Sequence, residues 1–167
     1  MFSVGDYVVH RNSGICKVKA IAPLPMEGGM EDTEYYFLIP VHGKGSEIFS
    51  PANDRNDNLR KVLSEKEAQE LLHNIPELTD EPIESDKQRE ARYRDAIRSC
   101  DCRELVKILK TLYARRQKRF SEGKKSTASE ERYFKQAEEN LCNELAFVLG
   151  KEREQMRQEL ALAMGFV

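Results

Sequence analysis

The chain has 167 residues, 40% of them apolar and 34% charged, with a formal net charge of −2. That is room for one ordinary domain or two small ones, and the balance is that of a folded, soluble protein rather than a disordered or membranous one. No apolar run approaches the roughly 20 residues of a membrane-spanning helix, and Met1 to Asp6 lacks the basic-then-apolar order of a secretion signal, so a cytoplasmic location is expected.

The first strand carries Tyr7, Val8 and Val9. Arg11-Asn12-Ser13-Gly14 follows with residues that tolerate left-handed backbone, and Ile15 to Ala22 returns, so the stretch reads as a β-hairpin. Pro23 to Asp32 holds two prolines and two glycines and reads as a long hairpin loop with a mobile tip. The unbroken apolar run Tyr35 to Val41 predicts a strand buried on both faces, with Pro40 placing its end at an edge or bulge. Ser46 to Ser50, between the Gly43-Lys44-Gly45 turn and Pro51, is the candidate edge strand; adjacent strand residues face opposite sides, so one of Ile48 and Phe49 is core and the other exposed. Four or five short strands around one small core predict an SH3-like or Tudor-like barrel ending at about Val62.

From Ser64 the apolar period becomes helical. Ser64-Glu65-Lys66-Glu67 is a capping box, with Ala68, Leu71, Leu72 and Ile75 as the stripe behind it and Pro76 as the stop. Pro76 to Glu84 reads as a linker or extended crossing. A second helix is expected over Ser85 to Ser99, and a third after the Asp101-Cys102-Arg103-Glu104 cap, with Leu105, Ile108, Leu109, Leu112 and Tyr113 on one face. A fourth starts near Thr127 or Ser129 and ends at Gly150, and a fifth covers Lys151 to Met164 with Met156, Leu160 and Ala163 inward. The fold class is therefore α+β in two domains, a small β-barrel followed by an all-α helical bundle: barrel 1–62, short helix and linker 63–84, helical domain 85–167.

The near-neutral total charge means that any nucleic-acid contact must come from a local patch. The densest is Arg115, Arg116, Lys118, Arg119, Lys124 and Lys125, which suits phosphate contacts; cations at the end of the third helix would equally complement its dipole without any ligand. Lys87, Arg89, Arg92, Arg94 and Arg98 are interleaved with acids, and spacings such as Glu90 to Arg94 favour intrahelical i,i+4 pairs. Cys16, Cys100, Cys102 and Cys142 are too scattered for a zinc ribbon, and His10, His42 and His73 have no ligand-spaced neighbour, so ordinary thiols and polar histidines, and no metal, are expected. Ser13-Gly14 is not a nucleophile elbow, the glycine pairs lack a phosphate-loop frame, and no nucleophile, base and oxyanion set is visible. Neither an enzyme nor a cofactor nor a small-molecule substrate is expected.

Val4-Gly5-Asp6-Tyr7-Val8-Val9-His10, the Ser13-Gly14-Ile15 turn, Glu34-Tyr35-Tyr36 and Ser50-Pro51 with its following polar turn resemble the start of the CarD/CdnL-like bacterial transcription regulators. The transcription-repair coupling factor shares the same RNA-polymerase-interacting module. The domain order is also similar, since that family joins a Tudor-like barrel to a compact helical domain. The resemblance implies that the barrel docks on the β subunit of RNA polymerase by pairing an edge strand, with Leu24, Glu47, Ile48, Phe49 and Pro51 as the docking residues. It implies that the helical domain contacts promoter DNA at the upstream edge of the transcription bubble and stabilises the open complex.

Better-known members use a tryptophan wedge followed by arginines. This chain has no tryptophan, and Asp86 stands at the wedge position, where an acidic side chain is repelled by phosphates and cannot stack. Lys87 and Arg89 match the neighbouring basic positions. The family's polymerase-facing arginines are replaced by Leu24 and Phe49, which makes that contact more apolar. The Lys124 to Ser129 stretch is longer than in the better-known members, and its basic residues could compensate. The expected DNA-contacting set is Lys87, Arg89, Arg115, Arg116, Lys118, Arg119, Lys124 and Lys125, weak and salt-dependent. The alternative is a polymerase-binding adaptor whose helical domain binds another protein.

Overall fold

The turn at 11–13 folds β1 (Tyr7–His10) back on β2 (Gly14–Pro23), with Gly14 at φ +72°, a left-handed backbone that costs a glycine nothing. In the computed structural model, which describes residues 1–24, 33–43, 45–53 and 58–166, the chain divides into two units, Met1–Val62 and Leu63–Val167.

The first unit is one antiparallel sheet of five strands in the order β4-β3-β2-β1-β5, with β3 at Glu34–Pro40, β4 at Ile48–Pro51 and β5 at Leu59–Lys61. Among the described residues no pairing joins β4 to β5, so the sheet is open and a barrel only in the loose sense. Its inner face holds Val8, Cys16, Val18, Tyr36 and Leu38, with Phe2, Ile21, Ile48, Ala52 and Leu59 packed around them. The register of β2 against β3 shifts between Val18 and Ala20, a bulge that leaves Lys19 over.

The expectation that Tyr35 to Val41 is buried on both faces is not met. Tyr36 and Leu38 are buried, but Tyr35 and Phe37 are only half-buried and Ile39 is exposed. The strand alternates as in any one-face antiparallel sheet, and its outer face happens to be apolar as well. The expected hairpin loop over 23–32 lies, from 25 onward, outside the described residues.

The second unit is helical. The capping box of α1 (Glu65–Asn74) is present in full: Glu67 N donates to Ser64 Oγ at 3.1 Å and Ser64 N to Glu67 Oε2 at 2.8 Å. Pro76 converts the continuation into a 3₁₀ turn at Ile75–Glu77. Lys110 Nζ then donates to the carbonyls of Ile75 (2.8 Å) and Leu78 (2.9 Å), satisfying groups that the helix end leaves open. Ser85 caps α2 (Asp86–Ser99), Asp101 caps α3 (Cys102–Ser121), and Thr127 caps α4 (Ala128–Leu149), which Gly150 closes at φ +65°. The last helix, α5, is Arg153–Ala163.

One core unites these elements: Ala68, Leu71 and Ile75 of α1 and its end meet Leu105, Ile108 and Leu109 of α3 and Leu141 and Leu145 of α4. From α5, Met156 and Leu160 are buried as expected, but Ala163 is exposed. Met164 and Phe166 pack instead, the Phe166 ring stacking on Tyr113 at 3.9 Å because the chain leaves the helix and folds back at Gly165 (φ +76°).

Candidate functional site

Two regions collect the residues singled out by the sequence. The first is the edge of the sheet. Among the described residues strand β4 has a paired neighbour only in β3, and the alternation along it sends Ile48 and Ser50 inward, Ser50 being buried, and Phe49 outward at 46% exposure. Phe49 lies opposite Phe37, ring edge to face at 5.0 Å between centroids, and Pro51 lies opposite Tyr35, so the outer surface beside the edge is aromatic. Glu47, just before β4, pairs with Lys19 of the bulge at 3.5 Å. Glu47, Ile48, Phe49 and Pro51 are thus contiguous. Leu24 is not among them: it follows the far end of β2, with β3 between it and β4.

An outer strand can accept a further strand from a partner, backbone groups giving affinity and alternate side chains specificity. Here the side chain that such a strand would meet on the outer face is Phe49.

The second region is the cationic end of α3. Arg115 Nε donates to Glu130 Oε1 at 2.9 Å, and Arg116 donates to both carboxylate oxygens of Glu131 at 3.1 and 3.0 Å with its guanidinium 4.1 Å from the Phe134 ring. Both arginines therefore pin α3 to the first turn of α4. Arg119 donates to the carbonyl of Lys125 at 2.9 Å, while Lys118, Lys124 and Lys125 are exposed, Lys124 standing 3.9 Å from Glu122. The charge presented to solvent is concentrated on the lysines.

On α2, Lys87 is exposed and Arg89 is not free. Its guanidinium donates to the carbonyls of Ile83 (2.7 Å) and Glu84 (2.8 Å) and pairs with Asp86, leaving its side chain 12% exposed. The intrahelical pairing expected for this helix is met by Arg89 with Asp86, at i,i+3 rather than i,i+4, and not by Glu90 or Arg92. Glu90 accepts from the Tyr133 hydroxyl, and Arg92 donates twice to Asp80 at 3.0 Å and pairs with Glu104 on α3. The hydrogen bonds that Arg92 donates to Asp80 raise the pKa of Arg92 further. These acids lie on other segments, which a helical-spacing argument does not search.

Arg89, Arg115 and Arg119 meet around a cleft of about 260 Å³ with Asp86, Glu90, Tyr93 and Glu130, so the cations there are matched by carboxylates. Lys118 joins Arg89 and Arg115 at a neighbouring cleft of about 330 Å³ beside Pro82 and Ile83. The Tyr93 hydroxyl and Glu130 Oε2 are buried without a hydrogen-bond partner, and burial, then the Glu130 charge, raise the Tyr93 pKa. Lys87, Lys124 and Lys125 are not part of either cleft.

Chemistry at Cys16 and Cys142 is disfavoured, since burial pushes the Cys16 thiol up to about 11 and the Cys142 thiol up to about 12. Among the described residues no group of three His, Cys, Asp or Glu side chains could hold a metal ion, and no helix is long and apolar enough to cross a membrane. Two side chains went unnoticed in the sequence. Glu144, inside the apolar stripe of α4, is buried and accepts from Leu63 N at 3.0 Å and from Cys102 Sγ at 3.1 Å. Phe120, in the middle of the basic run, is 78% exposed. An aromatic residue between Arg119 and the lysines was the available signal for it.

Residues 2–63 match the CarD-like/TRCF RID domain and residues 67–161 match the CarD C-terminal domain. No curated protein matches the chain. The first match covers the sheet with its exposed edge and the second the helices with their cationic end, in the order that the resemblance implied, and the chain belongs to the CarD-like family of RNA-polymerase-interacting transcription regulators.

Proposed function

We propose that the chain binds the β subunit of RNA polymerase through strand β4, contacts promoter DNA through its helical unit, and thereby modulates the stability of the open complex. The observation that carries this reading is the position of β4 as the outer strand of the sheet, with Phe49 turned out and Ser50 turned in. Glu47, Ile48, Phe49 and Pro51 are the docking segment, and Leu24 is peripheral to it. The DNA contact is electrostatic and local, supplied chiefly by Lys118, Lys124 and Lys125 with Lys87 and Arg119, and it weakens as salt rises.

The docking claim is tested by capture of the polymerase β subunit on the full chain. Phe49→Glu is expected to abolish capture with the circular dichroism unchanged and the melting midpoint little changed, because its ring lies on the outer face against Phe37 and outside the core. Ile48→Glu, which faces the core, is expected to lower stability as well. Capture by a folded Phe49→Glu protein at the parent level would remove β4 as the interface.

A second reading keeps the polymerase contact and replaces DNA by another protein. It is favoured by the internal pairing of Arg89, Arg115 and Arg116 and by the exposed carboxylate of Asp86. Footprinting a promoter complex with and without the protein separates the two, since an adaptor leaves the upstream-edge protection unaltered.

A further inference from the structure

Phe120 is a large apolar side chain held in water by a rigid frame. It lies in the last turn of α3, and two hydrogen bonds close that turn: Gly123 N donates to Phe120 O at 3.0 Å and Lys124 N to Arg119 O at 2.8 Å, with Gly123 at φ +75°. That is a Schellman motif, which usually brings an apolar pair together across its ends; here the two positions are Arg119 and Lys124. The Arg119 side chain donates to the Lys125 carbonyl at 2.9 Å and Ser121 Oγ to the Lys118 carbonyl at 2.7 Å, which ties the turn from both sides. Among the described residues no ring contact joins Phe120 to another aromatic side chain.

Residues 118–125 carry four cations, Lys118, Arg119, Lys124 and Lys125, against the one carboxylate of Glu122. A single exposed phenylalanine is unremarkable on a protein surface. One at the tip of a capped helix inside a net-positive ring matches a polyanion that has flat apolar faces between its charges, as nucleic acid does.

We infer that Phe120 is a stacking platform for an unpaired DNA base, with Lys118, Lys124 and Lys125 holding the flanking phosphates. The inference rests on the DNA-contacting reading above and adds a residue and a substrate state to it. The ring needs an unstacked base because a base inside a duplex has both of its faces covered by its neighbours. The rigid turn means that little side-chain and backbone freedom is lost on binding.

The full chain has no tryptophan, so Phe120→Trp places a single fluorescent indole at the tip. Three DNAs serve as probes at low salt: a single strand, the same length of abasic backbone, and the paired duplex. Stacking is expected to quench the indole with the single strand and not with the abasic one. In the parent protein, measured by anisotropy of labelled DNA, Phe120→Ala is expected to weaken single-strand binding about fivefold or more and to leave abasic binding unchanged.

Equal parent affinity for the normal and abasic strands, or for single strand and duplex, overturns the inference and leaves the DNA reading standing. Failure to bind any of the three overturns both.

Discussion

His10 ends β1 with its Nδ1 buried and lacking a hydrogen-bond partner, and burial, then the neighbouring Arg11 charge, lower its pKa below 6.5. The folded protein therefore takes up this proton less readily than the unfolded chain, and stability falls as pH drops through 6.5 toward the lower folded value. Well above pH 6.5 both states are neutral and the term vanishes. Thermal melts at pH 7.5 and 5.5 are expected to show a larger loss for the parent than for His10→Gln; identical losses would exclude His10 as the group responsible. Single residues are also where the sequence was least legible. Glu144 reads as a helix-surface carboxylate by type, and only its partners, Leu63 N and Cys102 Sγ, explain why it lies inside. Both partners sit on other elements, so no spacing rule reaches them.

At the scale of elements, the caps were legible because their chemistry is local. Ser64, Ser85, Asp101, Thr127 and Gly150 all act within three or four residues, and each marks a boundary that the structure keeps. The β3 strand misled for the converse reason: Tyr35, Phe37 and Ile39 are apolar for an outer surface, and composition alone cannot distinguish that from a second core. The α3–α4 hairpin shows the same limit in charges. Arg115 and Arg116 find Glu130 and Glu131 across the hairpin, a pairing set by how the two helices return on each other. The basic cluster consequently splits in two. Arg115→Ala with Arg116→Ala is expected to lower the stability of the helical unit by about 1 kcal/mol or more, since the partly buried Glu130 loses its partner, while changing DNA affinity little. Lys118, Lys124 and Lys125 changed together to alanine are expected to do the reverse, weakening DNA binding and flattening its dependence on salt by about three ions. Denaturant melts and salt titrations of the double and the triple variant decide between this division and a uniform patch.

For the molecule as a whole, the two units carry very different cores. The sheet buries Val8, Cys16, Val18, Tyr36 and Leu38, whereas the helices bury a cluster running from Ala68 to Leu160. The fragment Leu63–Val167 is expected to melt cooperatively with its helical signal intact, because α1 is built into that core through Ala68, Leu71 and Ile75 and does not act as a mere connector. A fragment that shows helix but no cooperative transition would mean that the first unit is needed to fix the second. The strand order has a bearing on timing. β5 pairs with the edge of β1 that β2 leaves open, through pairs such as Val8 with Lys61, so the first strand synthesised waits for the last segment of its sheet. Closing so long a loop is slow compared with zipping up neighbouring helices. On the ribosome, the unit made second is therefore expected to reach its fold with the smaller delay after its residues emerge, and a chain arrested before Leu59 leaves β1 with a bare flank.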